Sequence, residues 1–262
     1  VDDIINSKSY STFNYKNIGE KTSNISDEEF LEYVAKAKEH CKRGDVFQLV
    51  LSRRFNQKFE GDEFNVYRSL RSINPSPYLF FFDYGNFKIF GSSPEAQIII
   101  NNGKAEIHPI AGTFKRSGDD KRDEEKAKEL SIDPKENSEH IMLVDLARND
   151  VSKVSNPSTV SVDEMMIVEK YSHVMHMTSN VIGQIKENAT PIDCLKAALP
   201  AGTLSGAPKI RAMEILSELE NRARGIYGGC VGYIGYNKSL DTAIILSLIH
   251  ISEPTRPRLI SY

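Results

Sequence analysis

Apolar residues recur at helical spacing soon after the start of the chain. Ser26 and Glu29 have the spacing of a helix-capping box, and Gly44 supplies a stop signal. The apolar stripe between these signals consists of Phe30, Val34 and Ala37. The pattern therefore predicts a helix between the capping box and Gly44.

Other segments show either strand composition or helical spacing. A nearly continuous apolar run over residues 46–55 predicts a strand buried on both faces. Further strands are predicted at residues 78–83, 87–90, 96–100, 104–108, 159–162, 165–171, 173–179, 181–185, 225–236 and 240–246, and further helices at 62–72, 119–130, 135–149, 192–199 and 208–221. Because the strands group as hairpins between blocks of helices, we expect an α+β fold with largely antiparallel sheets and a single domain.

The composition is that of an ordinary globular protein. The 262 residues are 40% hydrophobic and 26% charged, which excludes wholesale disorder and a disulfide-dense mini-protein. The 33 basic and 36 acidic residues form no long single-sign blocks, so we expect no nucleic-acid partner. No apolar run reaches the roughly 20 residues that span a bilayer, and the first residues lack the features of a signal peptide. We therefore expect no membrane association and a cytoplasmic location.

Two carboxylates lie near the start of the helix predicted at residues 135–149. Glu136 and Glu139 are three residues apart and so point the same way. They can simply favour the positive end of the helix dipole. Alternatively they form part of a magnesium site, because this hard cation prefers carboxylate oxygens and leaves positions for water and an anionic substrate.

Four further positions are candidates for chemistry, each with a structural alternative. The loop of small residues at 200–209 runs into a helix, so it is either an anion site or a tight helix entry, and it is not a Walker A loop. Glu95 at a strand junction is either part of a turn or a general acid. His176 is either structural or faces a cavity, with His173 on the opposite face of the same strand. Tyr227 begins a glycine-rich strand that another group approaches closely.

Seven motifs follow one another in an order that carries more information than any one of them. They are FQLVLSRRF at residues 47–55, GSSPE at 91–95, HPIAGT at 108–113, EHIMLVDLARND at 139–150, YSHVMH at 171–176, PAGTLSGAPK at 200–209 and DTA at 241–243. Together they strongly resemble the chorismate-utilising enzymes, and within that family the large subunits of anthranilate synthases. The resemblance extends over about residues 30–246.

The resemblance implies a fold, a reaction and two partners. The fold would be that of the chorismate-utilising enzymes. The reaction would add ammonia at C2 of chorismate with loss of the C4 hydroxyl, and then eliminate pyruvate to leave anthranilate for tryptophan biosynthesis. Ammonia would come from glutamine through a separate amidotransferase subunit, since no amidotransferase nucleophile motif is visible here.

The resemblance also implies Mg²⁺ as cofactor and a set of charged site residues. Glu139 resembles the principal metal ligand and Glu136 a helper that acts through water. Glu95 resembles the carboxylic acid that helps the C4 hydroxyl to leave, and His176 the histidine beside that hydroxyl. We expect Glu139 to face a cavity that it shares with His176 and Thr203.

Four uncharged positions complete the implied site. Thr203 and Tyr227 resemble residues that line the substrate. Gly112 and Thr113 resemble a backbone wall of the pocket. The roles of all four residues are implied only by the family resemblance.

Two positions separate the subfamilies. Isochorismate and salicylate synthases carry a lysine base where this chain has Gln48, because they must activate water. Aminodeoxychorismate synthases carry a nucleophilic lysine where this chain has Ala111. The absence of both lysines favours direct attack by ammonia. The alternatives are component I of aminodeoxychorismate synthase and a catalytically inactive fragment of the family.

The chain also departs from the family near its end. Ser247 stands where the family has an arginine that grips a substrate carboxylate, and neither a Gly-Ala-Gly loop nor a second glutamate pair follows. We therefore expect an excerpt of a longer protein. Its parts would be a residual linker at 1–25, a partial chorismate-binding domain at 26–246 and a non-family tail at 247–262.

Overall fold

The computed structural model describes residues 14–170 and 174–252, and its contacts divide the chain into two units. Among the described residues, the first unit comprises 14–31, 53–92 and 247–252, and the second comprises 32–52, 93–170 and 174–246. We describe each unit by itself. His173 and residues 253–262 of the predicted tail lie outside the described residues.

Helices and strands alternate in blocks along the chain. The helices are α1 (Asp27–Lys42), α2 (Glu63–Ile73), α3 (Asp120–Ile132), α4 (Pro134–Val154), α5 (Pro191–Ala198), α6 (Gly202–Ser205) and α7 (Lys209–Leu219). The strands are β1 (Tyr15–Ser23), β2 (Gln48–Leu49), β3 (Phe55–Gly61), β4 (Tyr78–Asp83), β5 (Phe87–Ser93), β6 (Ala96–Asn101), β7 (Lys104–Ile107), β8 (Ile110–Lys115), β9 (Ser161–Lys170), β10 (Val174–Gln184), β11 (Gly206–Ala207), β12 (Cys230–Ile234), β13 (Leu240–Ile244) and β14 (Ser247–Ser252).

The first unit contains two small sheets. Strand β1 pairs antiparallel with β3, and strands β14, β5 and β4 form a three-stranded sheet in that order. Helix α2 begins at Asp62, whose side chain accepts a hydrogen bond from the Phe64 N–H at 2.9 Å and caps the helix. The rings of Phe64, Tyr67, Phe81 and Phe90 form one cluster in this unit, in which Phe81 stacks on Phe90 and meets Phe64 edge to face.

The second unit is built on a seven-stranded antiparallel sheet. Its order is β12-β13-β6-β7-β10-β8, and β9 pairs with β10. Helix α4 packs on this sheet because Val144, Ala147 and Val151 form one buried stripe against Val181 of β10. The same helix begins at Asp133, whose carboxylate accepts the N–H groups of Lys135 and Glu136. This cap fixes where α4 starts and places Glu136 in its first turn.

The predicted α+β class with antiparallel sheets is confirmed. The capping box at the start of α1 is present, since the Glu29 N–H donates to the Ser26 hydroxyl at 3.1 Å and the Ser26 N–H donates to the Glu29 carboxylate at 2.8 Å. The hairpin of β6 and β7 turns at Asn102 and Gly103, which both have positive φ as a two-residue turn requires. No helix in the described ranges is long and apolar enough to cross a bilayer.

Several predicted strands are wrong in extent. The run 46–55 is not one buried strand, because within it only Gln48 and Leu49 form β2 and Phe55 begins β3, and Phe47 is 78% exposed. The run 225–236 forms a strand only from Cys230, since positive φ at Gly225 and Gly228 produces turns before it. Conversely, the pieces predicted at 173–185 merge, over the described residues, into the single strand β10. The segment predicted as a residual linker contains β1, and the start of the predicted tail forms β14.

Candidate active site

Glu95 is a partly buried carboxylic acid at the junction between β5 and β6. Its backbone carbonyl accepts a hydrogen bond from the Ile244 N–H at 3.0 Å, which anchors the junction to β13. Burial raises the pKa of the Glu95 carboxyl to about 7, and the nearby Thr203 hydroxyl partly opposes this rise. A carboxyl with that pKa is about half protonated at neutral pH, as a general acid requires.

The Glu95 carboxyl and Thr203 line a cavity of about 40 Å³, which we call the Glu95 cavity. Its other charged lining residues are Asp150 and Lys209. The apolar part of the lining includes Ile107, Leu143, Leu146, Ala147, Ala198 and Ile244. A cavity of this size has room for a hydroxyl group or a water molecule, so it can take up a small leaving group.

The segment that carries Thr203 is held tightly on both sides. A Cβ atom on Gly202 would lie 2.1 Å from Cδ2 of Leu146 on α4, and one on Gly206 would lie 2.2 Å from the carbonyl oxygen of Gln48. Gly206 also has a φ of +130°, which a side chain would strain. The Thr203 Oγ1 between these glycines is buried; it is near enough to the Glu95 carboxyl to lower its pKa but does not reach hydrogen-bond geometry with any described residue.

His176, Gly112 and Glu136 form a second group of predicted residues. The His176 Nδ1 lies 3.0 Å from the Gly112 carbonyl oxygen, so in the neutral ring Nδ1 carries the hydrogen and donates it. Gly112 has a φ of +67°, and a Cβ there would lie 3.1 Å from the Glu136 carboxylate and 2.7 Å from Leu130. The Glu136 side chain therefore packs against this glycine. Thr113 lies opposite His176 in the ladder of β8 and β10.

Glu139 lies in a wider depression that we call the Glu139 groove. The groove has a volume of about 710 Å³, and its polar lining residues are Gln48, Ser138, Glu139, Asp145 and Asn149. Phe47, Ile141, Met142 and Pro208 supply its apolar lining. The Gln48 Oε1 is buried and has no hydrogen-bond partner among the residues that the structure describes.

The glutamates of α4 fit a magnesium ion only in part. Glu139 and Glu136 supply the oxygen donors that Mg²⁺ prefers. Within the described ranges, however, no three His, Cys, Asp or Glu side chains come together as a metal-binding group. These residues can therefore provide part of an octahedral coordination sphere, with the remaining ligands from water and substrate or from other parts of the protein.

Tyr227 packs on a small apolar cluster beside the Thr203 segment. The cluster consists of Ala201, Leu204 and Ile244. Burial raises the pKa of the Tyr227 phenol, and the Arg224 guanidinium lies 6.0 Å from the ring centre. Tyr227 is thus close in space to the Thr203 segment, although it lines a different cavity of about 580 Å³.

In the described residues, Glu139, His176 and Thr203, which were expected to share one cavity, have different surroundings. Glu139 faces the groove with Gln48, Thr203 faces the Glu95 carboxyl, and His176 contacts the carbonyl of Gly112. Leu146 lines both the Glu95 cavity and the Glu139 groove. The order of the motifs along the chain does not determine the direction in which each side chain points.

The sequence analysis missed two charged pairs. Lys209 donates to the Asp150 carboxylate at 2.5 Å, and both side chains are buried. Arg224 donates to the Glu220 carboxylate and to the carbonyls of Leu204 and Val50. One signal for the first pair was available, because Asp150 falls on the otherwise apolar stripe of α4, where a charge needs a partner.

Comparison with known proteins identifies the family to which the chain belongs. The family model described as "chorismate binding enzyme" matches residues 1–255, so the chain belongs to this family. Among curated proteins it is 51% identical over 232 residues to anthranilate synthase component 1 of Acetivibrio thermocellus, covering 88% of the chain and 47% of the relative. It is 50% identical over 224 residues to anthranilate synthase component 1 of Aquifex aeolicus, covering 86% of the chain and 45% of that relative.

Solved structures show the same fold. Anthranilate synthase component I from Streptococcus pneumoniae superposes with a TM-score of 0.81 at 41% identity, covering 92% of this chain and 52% of that one. The menaquinone-specific isochorismate synthase of Escherichia coli superposes with a TM-score of 0.82 at 20% identity, covering 94% and 56%. The chain spans about half the length of the curated relatives it matches.

Proposed function

We propose that the protein to which this chain belongs converts chorismate and ammonia to anthranilate and pyruvate. The observation that carries the proposal is Glu95, a carboxylic acid with a pKa of about 7 in a cavity of hydroxyl size, within a chain about 50% identical to anthranilate synthase components. Ammonia attacks C2 of the ring, both ring double bonds shift (C1=C2 to C1=C6 and C5=C6 to C4=C5), the C4–O bond breaks, and the new ammonium group loses a proton to solvent. Glu95 gives its proton to the departing hydroxyl, which leaves as water.

The second stage needs no further group to be added to the ring. The C2 proton is removed and the ether bond at C3 breaks, which releases pyruvate and leaves an aromatic ring. The Nδ1 of His176 is held on the Gly112 carbonyl, and this contact sets the orientation of the imidazole. Thr203 and Tyr227, on or beside the held segment at 199–208, would line the substrate.

Two positions support ammonia rather than water or an enzyme amine as the nucleophile. Gln48 faces the Glu139 groove and has no amine that could act as a base. Ala111 on β8 is buried and supplies no nucleophile. Component I of aminodeoxychorismate synthase is the alternative within the family, and the buried alanine at this position disfavours it.

The cofactor in this proposal is Mg²⁺, held directly by Glu139 and through water by Glu136. When bound, the ion would offset the charge of a substrate carboxylate. The incomplete set of ligands among the described residues supports a second possibility, that this chain alone is a catalytically inactive fragment. The ammonia would come from a glutamine amidotransferase subunit.

Product analysis tests the proposal. Chorismate, ammonium and Mg²⁺ are incubated with the purified chain and with the complete protein, and anthranilate is measured by fluorescence together with pyruvate. We expect equal amounts of both products from the complete protein. Formation of aminodeoxychorismate without pyruvate would assign the alternative enzyme. Calorimetry with Mg²⁺ and chorismate on the 262-residue chain separates an active chain from an inactive fragment, because micromolar binding contradicts the fragment.

A further inference from the structure

A buried ion pair links helix α4 to the segment that carries Thr203. Lys209, the first residue of α7, donates to Asp150 Oδ2 at 2.5 Å and to the Ala198 carbonyl oxygen at 2.8 Å. The same carbonyl accepts a hydrogen bond from Gln97 Nε2 of β6 at 2.9 Å. One ammonium group therefore connects α4, the end of α5, the start of α7 and the strand that follows Glu95.

Stability alone does not account for a charged pair in this place. The side chains of Lys209 and Asp150 are only 10% and 6% exposed, so both charges lose most of their hydration. Apolar side chains of similar volume often stabilise a buried site as well as an ion pair does. The pair adds directional contacts, because the Lys209 ammonium donates hydrogen bonds to two acceptors on different elements.

The contact spans the two ends of residues 199–208. Ala198 lies just before this segment and Lys209 just after it, so both ends are held at one point. Within the segment, Gly202 packs on Leu146 and Gly206 packs on the backbone of Gln48. Thr203 lies between these glycines, beside the Glu95 carboxyl.

The charged groups at the Glu95 cavity are few. Glu95, Asp150 and Lys209 are its charged lining residues, and Lys153 reaches Asp150 at 3.0 Å from the surface. Neither lysine is a main cause of the raised pKa of Glu95, which comes from burial. Lys209 therefore acts on Glu95 indirectly, through the segment at 199–208 that it holds.

We propose that Lys209 is a positioning residue for the Glu95 acid. Its two hydrogen bonds hold residues 199–208 over Glu95, keep the Thr203 hydroxyl beside the carboxyl and keep bulk water out of the cavity. This inference rests on the proposed function only in that Glu95 is used as an acid.

The titration of Glu95 tests the inference without substrate. Glutamate labelled with ¹³C at the carboxyl is incorporated into the 262-residue chain, and Glu95→Gln identifies the Glu95 signal. We expect a midpoint near 7 in the unchanged chain. In Lys209→Met, loosening of the segment admits water, so we expect the midpoint to fall by about one pH unit or more. Lys209→Arg can reach both acceptors and restores most of the shift.

Lys153→Met is the matched control. It removes a positive charge from the same Asp150, but its ammonium makes no contact with Ala198 and its side chain is about half exposed. We expect it to leave the Glu95 midpoint unchanged. An unchanged or raised midpoint in Lys209→Met, or an equal fall in Lys153→Met, would overturn the positioning role.

A second variant covers the case in which Lys209→Met does not fold. The double substitution Asp150→Leu with Lys209→Met replaces the pair by apolar side chains, which keeps the site free of an unpaired charge. We expect the same fall of the Glu95 midpoint and at least about tenfold faster amide hydrogen exchange at residues 201–206. The same midpoint and exchange as in the unchanged chain would refute the inference. Failure to form anthranilate would overturn the proposed function and leave this result standing.

Discussion

The Glu95 cavity and the Glu139 groove share Leu146 in their linings but differ in size and in the charged groups that they contain. The cavity is about 40 Å³, enclosed mainly by apolar side chains, and it contains an acid whose pKa is raised by burial. The groove is about 710 Å³, and its lining includes the carboxylates of Glu139 and Asp145 and the amides of Gln48 and Asn149. Helix α4 contributes to both, through Asp150 at the cavity and Glu139 in the groove.

The difference separates two kinds of chemistry. A proton donor works with a shifted pKa, which needs only burial and a fixed neighbour, and the described residues supply both around Glu95. A magnesium site needs several oxygen ligands converging on one point, and within the described residues no three His, Cys, Asp or Glu side chains come together in this way. The acid is therefore more completely formed in this chain than the metal site.

The largest expected effect comes from removing the acid. Glu95→Gln cannot protonate the C4 hydroxyl, so we expect kcat for anthranilate formation by the complete protein to fall by about 10³-fold. The affinity for Mg²⁺ should stay within a factor of about two of that of the unchanged protein, which corresponds to less than ~0.5 kcal/mol. Steady-state kinetics and calorimetry measure the two quantities.

The conservative variant Glu95→Asp sharpens this test. It keeps a carboxyl group but withdraws it by one methylene from Thr203, so intermediate activity is expected. If Glu95→Gln retained normal turnover, the proton would come from another group and the role of the cavity would be lost.

The second effect concerns the groove. Glu139→Gln removes the carboxylate expected to ligate the metal directly, so we expect Mg²⁺ affinity and Mg²⁺-dependent turnover of the complete protein to fall by about 10- to 100-fold or more. The fold should be spared, since Glu139 is only partly buried. Calorimetry and circular dichroism measure affinity and folding.

Asp145→Asn is the matched control for the groove. Asp145 lies on the same helix and lines the same groove, but its side chain is 65% exposed and pairs with Arg148. We expect little change in Mg²⁺ affinity. Equal losses in both variants would show a general electrostatic effect of the groove and not a ligand at Glu139.

Motif order and periodicity predicted the elements better than the surroundings of each side chain. The capping box at Ser26 and the antiparallel class followed from local signals. The ends of the run 46–55 did not, because two residues of β2 pair only with β11, which is about 160 residues later in the chain. The Lys209 and Asp150 pair was also missed, since the apolar stripe of α4 shows that Asp150 needs a partner but not that this partner lies 59 residues later.

The acidity of Glu95 predicts a pH dependence of stability. Its pKa rises from 4.5 to about 7 on folding, so between these values the folded chain binds more protons than the unfolded chain. By linkage, this group makes the free energy of unfolding fall as pH rises through that window, and it contributes no destabilisation below pH 4.5. Glu95→Gln lacks this effect. The difference in the free energy of unfolding between this variant and the unchanged chain should therefore shift in favour of the variant by up to about 3 kcal/mol between pH 4.5 and pH values above 7.

Urea unfolding at several pH values measures this difference. The comparison uses the change of the stability gap with pH, so other effects of the substitution cancel. A gap that stays constant from pH 4.5 to 7 would mean that Glu95 ionises normally in the folded chain.

The smallest expected effect removes the wall between the two regions. Leu146→Ala deletes a partly buried side chain that lines both, so we expect about 2 kcal/mol loss in the free energy of unfolding. Water from the groove would then reach the cavity, and the Glu95 midpoint should fall toward 4.5. Ile141→Ala is the control, because Ile141 is exposed and lines only the groove. If both variants left the Glu95 midpoint near 7, solvent exclusion by Leu146 would not be what keeps this carboxyl protonated.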